Sequence, residues 1–355
     1  MPLATDTATT ACENTADDII TALPILVLNV HSRCNCRCVM CDIWKRDETS
    51  EIRALDLERH RISLSKLGVR WVVLSGGEPL MHSDLPGLCT FFRELGVRLT
   101  LLSTGILFER RAQEIAEFFD DVIVSVDGPP EIHDAVRRTP GSFQIIARGV
   151  SRLLELRPTL RMMARTTVQK ANHNRLNATI QTARDIGLAG ISYLAADLTS
   201  EAFNRPLVWP VERQNPVALT TNELRGLHDE IERIISTRGD EIRSGYIAEN
   251  AEKLRRIVGH FKAHLGLESP RSPVCNAPWV SAVVEADGEV RPCFFHHSLG
   301  NIHQRSLQNI VNGEAAISFR RSLDIESNPT CQRCVCSLHH PRADEMDLRE
   351  ATKRG

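Results

Sequence analysis

Cysteines at two places in the chain carry the chemistry that its residue types allow. Cys34, Cys38 and Cys41 form a C-x3-C-x2-C run inside ILVLNVHSRCNCRCVMCDIW, residues 25–44. Three thiolates on one tight loop can hold three irons of a [4Fe–4S] cube, because each iron takes a sulfur ligand. No fourth thiolate stands at a suitable place nearby, so one iron would stay open to another molecule. The same loop suits a tetrahedral zinc with His31 or Cys36 as fourth donor. Spacing alone leaves both open. The second set is Cys275, Cys293, Cys331, Cys334 and Cys336, the last three in a C-x2-C-x-C run. Two ligands flanking a hairpin plus two from C-x2-C can hold zinc or an iron–sulfur cluster.

Alternating strands and helices must position these residues. Apolar, β-branched runs predict strands at 25–30, 70–74, 98–102, 121–126, 162–168 and 190–195. Helical spacing predicts helices at 54–67, 84–95, 109–118, 142–156 and 173–186 between them. Such alternation implies parallel strands joined by right-handed crossovers. The fold class expected is α/β, a partial (β/α)6 TIM-like barrel with a small α+β domain at the C-terminal end. Chemistry in such barrels sits on loops at the C-terminal ends of strands. Each motif falls at such an end. The first strand leads into the cysteine run, and the second into Ser75-Gly76-Gly77-Glu78-Pro79, whose glycines permit close backbone approach to a ligand. Glu78 is placed to accept hydrogen bonds from an ammonium group. The third strand leads into Ser103-Thr104-Gly105, either a pocket wall or a plain turn. The fourth ends at Ser125-Val126-Asp127, where Ser125 and Asp127 share one face by period two. His133-Asp134-Ala135-Val136-Arg137 follows.

With these motifs together, the chain resembles the radical S-adenosylmethionine (SAM) enzymes. The resemblance rests on the C-x3-C-x2-C loop after a first strand and on Gly76-Gly77-Glu78-Pro79, and spans about residues 24 to 340. It implies that the open iron chelates SAM and that the reduced cluster splits SAM into methionine and a 5′-deoxyadenosyl radical, which takes a hydrogen atom from substrate. The family usually has a Thr-like residue at the place of His31 and Leu at that of Cys36; neither departure touches the three ligands. By resemblance, Gly76, Gly77, Glu78 and Pro79 meet the SAM amino group, while Ser125 and Arg137, with Asp127 beside them, meet its carboxylate and ribose region. An ion pair at the surface is the plainer reading of Arg137.

The C-terminal cysteine order resembles the SPASM/twitch extension of the same enzymes. Asp287-Gly288 between apolar runs is the hairpin signal. No cysteine follows Cys336, so the shorter form is expected, with one auxiliary [4Fe–4S] cluster on Cys275, Cys293, Cys331 and Cys334. Cys336 is then spare: a packed or alternate-ligand thiol, or a hydrogen-atom donor to a substrate radical. His296, His297, His339 and His340 lie near this set in sequence, either tuning the cluster or at the surface.

Composition sets the remaining bounds. The 355 residues are 42% hydrophobic and 25% charged, which suits one large and one smaller domain. The net charge of −2 gives no support for nucleic acid or an anionic membrane as partner. No transmembrane-length apolar run and no export signal are evident, so a cytoplasmic protein is expected. The 11 cysteines cluster instead of spreading, which favours metal ligation over disulfides. Cys12 and Cys89 stand outside the clusters.

The organisation expected is a mobile tail at 1–22, the barrel at 23–200, a loop and helical linker at 201–270, the auxiliary-cluster domain at 271–340 and a tail at 341–355. In the linker, Thr220-x-x-Glu223 reads as a capping box, with a second helix over 248–265. The linker either joins two domains or, with the Trp209 loop, walls the substrate pocket. No leader-gripping or cobalamin-binding segment is evident before Ile25. The substrate expected is therefore a carbohydrate or antibiotic intermediate, epimerised or oxidised at an alcohol; a ribosomally made peptide is the alternative. An electron-donor protein such as flavodoxin or ferredoxin is implied as partner. A non-catalytic zinc module is the rival class, and it leaves Gly76-Gly77-Glu78-Pro79 and the His133–Arg137 run unexplained.

Overall fold

The computed structural model describes residues 18–340. Six strands follow one another as expected: β1 (Ile25–His31), β2 (Trp71–Gly76), β3 (Arg98–Ser103), β4 (Asp121–Ser125), β5 (Arg161–Val168) and β6 (Ile191–Ala195). Each pairs in parallel with the next. The two faces of these strands differ in composition. Leu26, Leu28, Val72, Leu74, Leu99, Leu101, Val122 and Val124 are buried under the helices. The alternate positions face the lumen of the partial barrel and include Asn29, Thr100, Ser125 and Arg165.

The C-terminal region does not stand apart from this sheet. β7 (Ser281–Val284) pairs in parallel with β1, from Ile25 opposite Ser281 to Leu28 opposite Val284. It then turns back through Asp287-Gly288 into β8 (Glu289–Arg291), which pairs with β9 (Gly300–Asn301), both antiparallel. The result is one nine-stranded sheet in the order β6-β5-β4-β3-β2-β1-β7-β8-β9. Gly288 has φ +88°, the left-handed turn conformation that glycine takes without strain. At the opposite edge, residue 191 is bridged to residue 247: Ile191 N donates to Tyr246 O and Ala248 N to Ile191 O. That segment covers the exposed side of β6 and sets Glu249 beside it.

Several expectations change. The helix expected at 54–67 is two, Ala54–Glu58 and Arg61–Lys66. The break flanks His60, which is buried and hydrogen-bonds Ile302 O at 3.0 Å and Leu307 N at 3.2 Å. A helix at Pro130–Arg137 is not among those expected. Proline is compatible with a first helical turn, where its missing N–H would have no partner. Residues 18–22, inside the segment expected to be a mobile tail, are anchored. Ile20 N donates to Asn312 Oδ1, Asn312 Nδ2 donates to Ile20 O, and Arg320 Nε donates to Asp18 O. The rest of that tail, Cys12 and the tail at 341–355 lie outside the described residues. The linker helices form as read, at Thr221–Thr237 behind the Thr220/Glu223 capping box and at Ala251–His264 behind Asn250.

Leu28 is fully buried where β1 meets both β2 and β7. Leu28→Ala should cost about 2–5 kcal/mol, seen as a lower urea midpoint at unchanged slope. Exposed Leu55→Ala should change stability by less than about 0.5 kcal/mol in the same measurement.

Candidate metal centres and the lumen cavity

The loop after β1 carries Cys34, Cys36, Cys38 and Cys41, all as free thiols. The glycine loop after β2 lies directly against it. Gly77 N donates to His31 O at 2.8 Å and Glu78 N to Arg33 O at 2.9 Å. A Cβ on Gly76 would come within 2.6 Å of His31 O, and one on Gly77 would overlap the Arg33 carbonyl. The close approach that requires these glycines is therefore to the cysteine loop's own backbone. Pro79 begins a buried 3-10 turn that fixes the end of the glycine loop.

Glu78 is fully buried, and its role differs from the expected one. Oε1 accepts from Leu80 N and Ser103 Oγ, at 3.0 and 2.8 Å. Oε2 accepts from Thr104 N and Thr104 Oγ1, at 2.8 and 2.6 Å. Both oxygens are saturated, which leaves no lone pair for a ligand ammonium. Burial pushes its pKa up against the pull of these four donors. Glu78 instead ties the second strand-end loop to the third. Thr104 Oγ1 continues the chain to Asn35 Oδ1 at 2.9 Å, on the cysteine loop. Ser103-Thr104-Gly105 is thus a structural link.

Asp127 and Arg137 form a second tie. Arg137 Nε donates to Asp127 Oδ2 at 2.6 Å, with both side chains buried. Asp127 Oδ1 also accepts from Thr167 N at 2.9 Å. Asp127, expected to touch the cofactor, has its carboxylate occupied by Arg137 and β5, so it orients Arg137. Arg137 Nη1 reaches Cys38 Sγ at 3.5 Å. Arg37 N and Val39 N donate to the carbonyls of Arg137 and Val136, which docks the cysteine loop on this helix end. Burial would lower the Arg137 pKa, but Asp127 and the Cys38 and Cys36 thiols outweigh it and raise it. His133 is held neutral, its pKa pushed down to about 4 by burial and by Arg137. Ser125 closes β4 on the lumen face, paired with Arg165.

The segment after β6 straps the other side of the cysteine loop. Arg205 Nη1 is ion-paired with Asp197 at 2.5 Å, and Nη2 donates to Met40 O at 3.1 Å. The Trp209 ring lies between the Arg205 and Arg213 guanidinium groups, 3.8 and 3.9 Å from its centre. Trp209 Nε1 donates to Asp42 Oδ2 at 2.7 Å. The Trp209 loop therefore clamps the cysteine loop and does not line the lumen cavity. Nothing in local sequence spacing signals this strap, because its partners lie more than 150 residues away in the chain.

The second cysteine set converges on a cavity of about 340 Å3. Cys275, Cys293, Cys331, Cys334 and Cys336 all line it, opposite Val27, Val73 and Arg165 of the lumen. Backbone N–H groups already point at sulfur: Ala277 N lies 3.4 Å from Cys275 Sγ. His296 Nε2 is 3.5 Å from Cys331 Sγ, so this histidine touches the set. Burial raises the Cys331 and Cys336 thiols to about 11. In the first loop, burial raises Cys41 to about 12, and a hydrogen bond from Cys34 leads the rise of Cys36 to about 12. The helix Ala251–His264 supplies Lys253, Arg256 and His260 to the same cavity. Glu249 joins them, accepting from Tyr193 N at 2.9 Å; burial raises its pKa to about 7. Arg165, Glu249 and Arg256 are residues that motif reading missed. Only the alternation of β5, with Arg165 two residues from Met163, hinted at a lumen position.

The donor set suits iron–sulfur clusters: soft thiolates in two groups, free of disulfides, with N–H donors directed at sulfur. Sequence comparison agrees. Residues 28–185 match the radical SAM superfamily, and residues 275–335 match SPASM, an iron–sulfur cluster-binding domain. The chain belongs to the radical SAM superfamily, with a C-terminal SPASM domain, and is a radical SAM enzyme. A SAM-binding [4Fe–4S] cluster and auxiliary iron–sulfur binding come with that membership.

The chain is 27% identical over 329 residues to the Fe-coproporphyrin III synthase of Methanosarcina barkeri, covering 88% of this chain and 80% of that one. It is 24% identical to the subtilosin biosynthesis protein AlbA of Bacillus subtilis, covering 79% of this chain and 57% of that one. Streptococcus suis SuiB bound to precursor peptide SuiA shares the fold, with TM-score 0.64 at 14% identity over 91% of this chain and 73% of that one. Among the described residues, no helix is long and apolar enough to cross a membrane.

Asp127→Ala leaves the buried Arg137 guanidinium unpaired. It should destabilise the fold by about 3–5 kcal/mol, measured by urea unfolding. Asp127→Asn, which keeps one acceptor, should lose less.

Proposed function

We propose that the chain cleaves SAM reductively at the Cys34, Cys38 and Cys41 loop and directs the radical to a C–H bond of a small molecule in the lumen cavity. One observation supports this above the others: the five C-terminal cysteines and Arg165 line one lumen cavity, and Arg165 is paired in register with Ser125 on the strand that leads toward the Arg137 end of the first cysteine loop. A reduced cluster with SAM bound supplies the 5′-deoxyadenosyl radical. The residues of the chain hold and orient. Gly76, Gly77 and Pro79 shape the backbone against which the SAM amino group rests, while Glu78 holds that loop from behind. Ser125 and Arg137, steadied by Asp127, meet the carboxylate and ribose region. Enclosure of the cavity by Val27, Val73, Ile257 and Pro278 excludes water from a radical.

One auxiliary [4Fe–4S] cluster on Cys275, Cys293, Cys331 and Cys334 completes the site, with electrons delivered by a flavodoxin- or ferredoxin-like protein. The outcome we favour is epimerisation or alcohol oxidation of a carbohydrate or antibiotic intermediate, in the cytoplasm. Cys336 lines the same cavity and serves as hydrogen-atom donor in the epimerisation branch. Modification of a ribosomally made peptide is the second reading. It is favoured by the fold shared with SuiB, whose structure holds a precursor peptide.

Anaerobic reconstitution should load about eight irons per chain, four per cluster. Replacing Cys34, Cys38 and Cys41 together by alanine should remove half of that iron and all 5′-deoxyadenosine formation. Bound zinc with no 5′-deoxyadenosine from the wild type would overturn the assignment.

The donor role of Cys336 is read by isotope. Epimerisation in deuterated water should place one deuterium at the inverted carbon, whereas oxidation places none. Cys336→Ala should still form 5′-deoxyadenosine but give little inverted product. Normal inversion by that variant would exclude the role.

A further inference from the structure

Arg165 is anomalous among the cations of the lumen. It lies in β5 with Ser125 opposite on β4 and Ser192 opposite on β6. Laterally paired residues of a parallel sheet put their side chains on one face. The Arg165 guanidinium therefore enters the lumen at the level of Ser125, and it lines the cavity. Its Nε is buried and has no hydrogen-bond partner. Its charge acts on Glu249 and on Cys336, but among the described residues it forms no ion pair with Glu249, which accepts from Tyr193 N instead. Other buried arginines are differently placed: Arg137 is paired with Asp127, and Arg205 with Asp197. A guanidinium has five donors and cannot shed its charge, so leaving it unmatched in an enclosed site is unfavourable unless a ligand supplies the acceptor.

The surrounding charges point the same way. Among the described residues, Glu249 is the one carboxylate lining the cavity, and it accepts from Tyr193 N. Lys253 and Arg256 add two cations. Arg256 donates to Cys334 O and so belongs with the auxiliary cysteines. Lys253 stands where this cavity adjoins a second, of about 570 Å3, with Arg256, His260, Pro273, Cys334 and Ser337 common to both walls.

We infer that Arg165 is the oxyanion-binding residue of the lumen cavity, and that the substrate carries a carboxylate or phosphate that it grips through paired N–H donors. This rests on the cavity being the substrate site, as proposed above. Planar bidentate pairing favours a guanidinium over a lysine for either group. Held there, the anion lies beside Ser125, and the rest of the substrate extends toward Cys336. Arg165 thereby fixes which carbon meets the SAM side of the lumen.

The test uses the full chain with both clusters reconstituted anaerobically. Binding of coproporphyrin III, succinate and inorganic phosphate is measured by calorimetry, and for the porphyrin also by its absorbance. At least one of these anions should bind saturably to the wild type. Arg165→Gln should weaken that binding at least tenfold and Arg165→Lys should restore part of it, with iron content unchanged in both. Which probe binds separates carboxylate from phosphate as the source of the anion. Binding of none of the three to the wild type, or equal binding by Arg165→Gln, overturns the inference. So does a changed electron paramagnetic resonance signal of the auxiliary cluster with unaltered anion binding, which would make Arg165 a counter-charge of that cluster. The same wild-type preparation is reduced with SAM and assayed for 5′-deoxyadenosine. Absence of that product counts against the functional proposal, whereas the binding data decide the anion site.

Discussion

Strand β1 is hydrogen-bonded in parallel on both sides, to β2 and to β7, and the rest of the molecule depends on that double pairing. Its C-terminal end delivers the first cysteine loop. Its neighbour β7 begins six residues after Cys275 and leads through the hairpin to Cys293. A parallel ladder fixes register along its whole length, because a slip of one residue would turn Leu26, Leu28 and Val30 from the buried face into the lumen. The two cysteine sets are therefore held at separate places around one lumen by backbone hydrogen bonds.

Buried charges then lock the strand-end loops. Glu78 joins the loops after β2 and β3, Asp127 and Arg137 join β4 and β5 to the cysteine loop, and Asp197 and Arg205 join the strap after β6 to Met40. Ion pairs of this kind add little net stability, since desolvation offsets most of the attraction. Their effect is on geometry. Glu78 and Asp127 each have their acceptors filled from two elements, and Arg205 spans Asp197 and Met40 O, so a loop that moved would leave a buried charge unmatched. The cysteine loop is held on three sides in this way: by the glycine loop, by the helix end at Arg137 and by the Trp209 strap. A cluster that must bind SAM and transfer an electron needs its ligands fixed before the ligand arrives.

Contrast with the lumen is informative. There Arg256 and Glu249 have partners within the protein, whereas the buried Arg165 Nε has none. Around the cysteine loop the buried carboxylates of Glu78 and Asp127 are filled internally; in the lumen the Arg165 Nε is left available. That division between filled and unfilled hydrogen-bond capacity separates scaffold from binding surface.

Local chemistry was readable from sequence. Cysteine spacing, the glycine pair and the alternation of apolar runs are short-range signals. They determine ligand type, strand and helix order and the strand ends at which function sits, because thiolate softness and side-chain periodicity do not depend on distant partners. The family, the parallel sheet and the hairpin between Cys275 and Cys293 were legible for that reason. Tertiary structure alone decided what each polar side chain faces. Glu78 looked like a ligand for an ammonium until Ser103 and Thr104 were found on its oxygens, and Asp127 looked like a cofactor contact until Arg137 occupied it. Arg165 and Glu249, more than 80 residues apart in the chain, share a cavity only because β5 and the segment bridged to residue 191 flank β6 on its two sides. Hydrogen-bond capacity is a property of three-dimensional neighbourhood, and no spacing rule within one segment reports it.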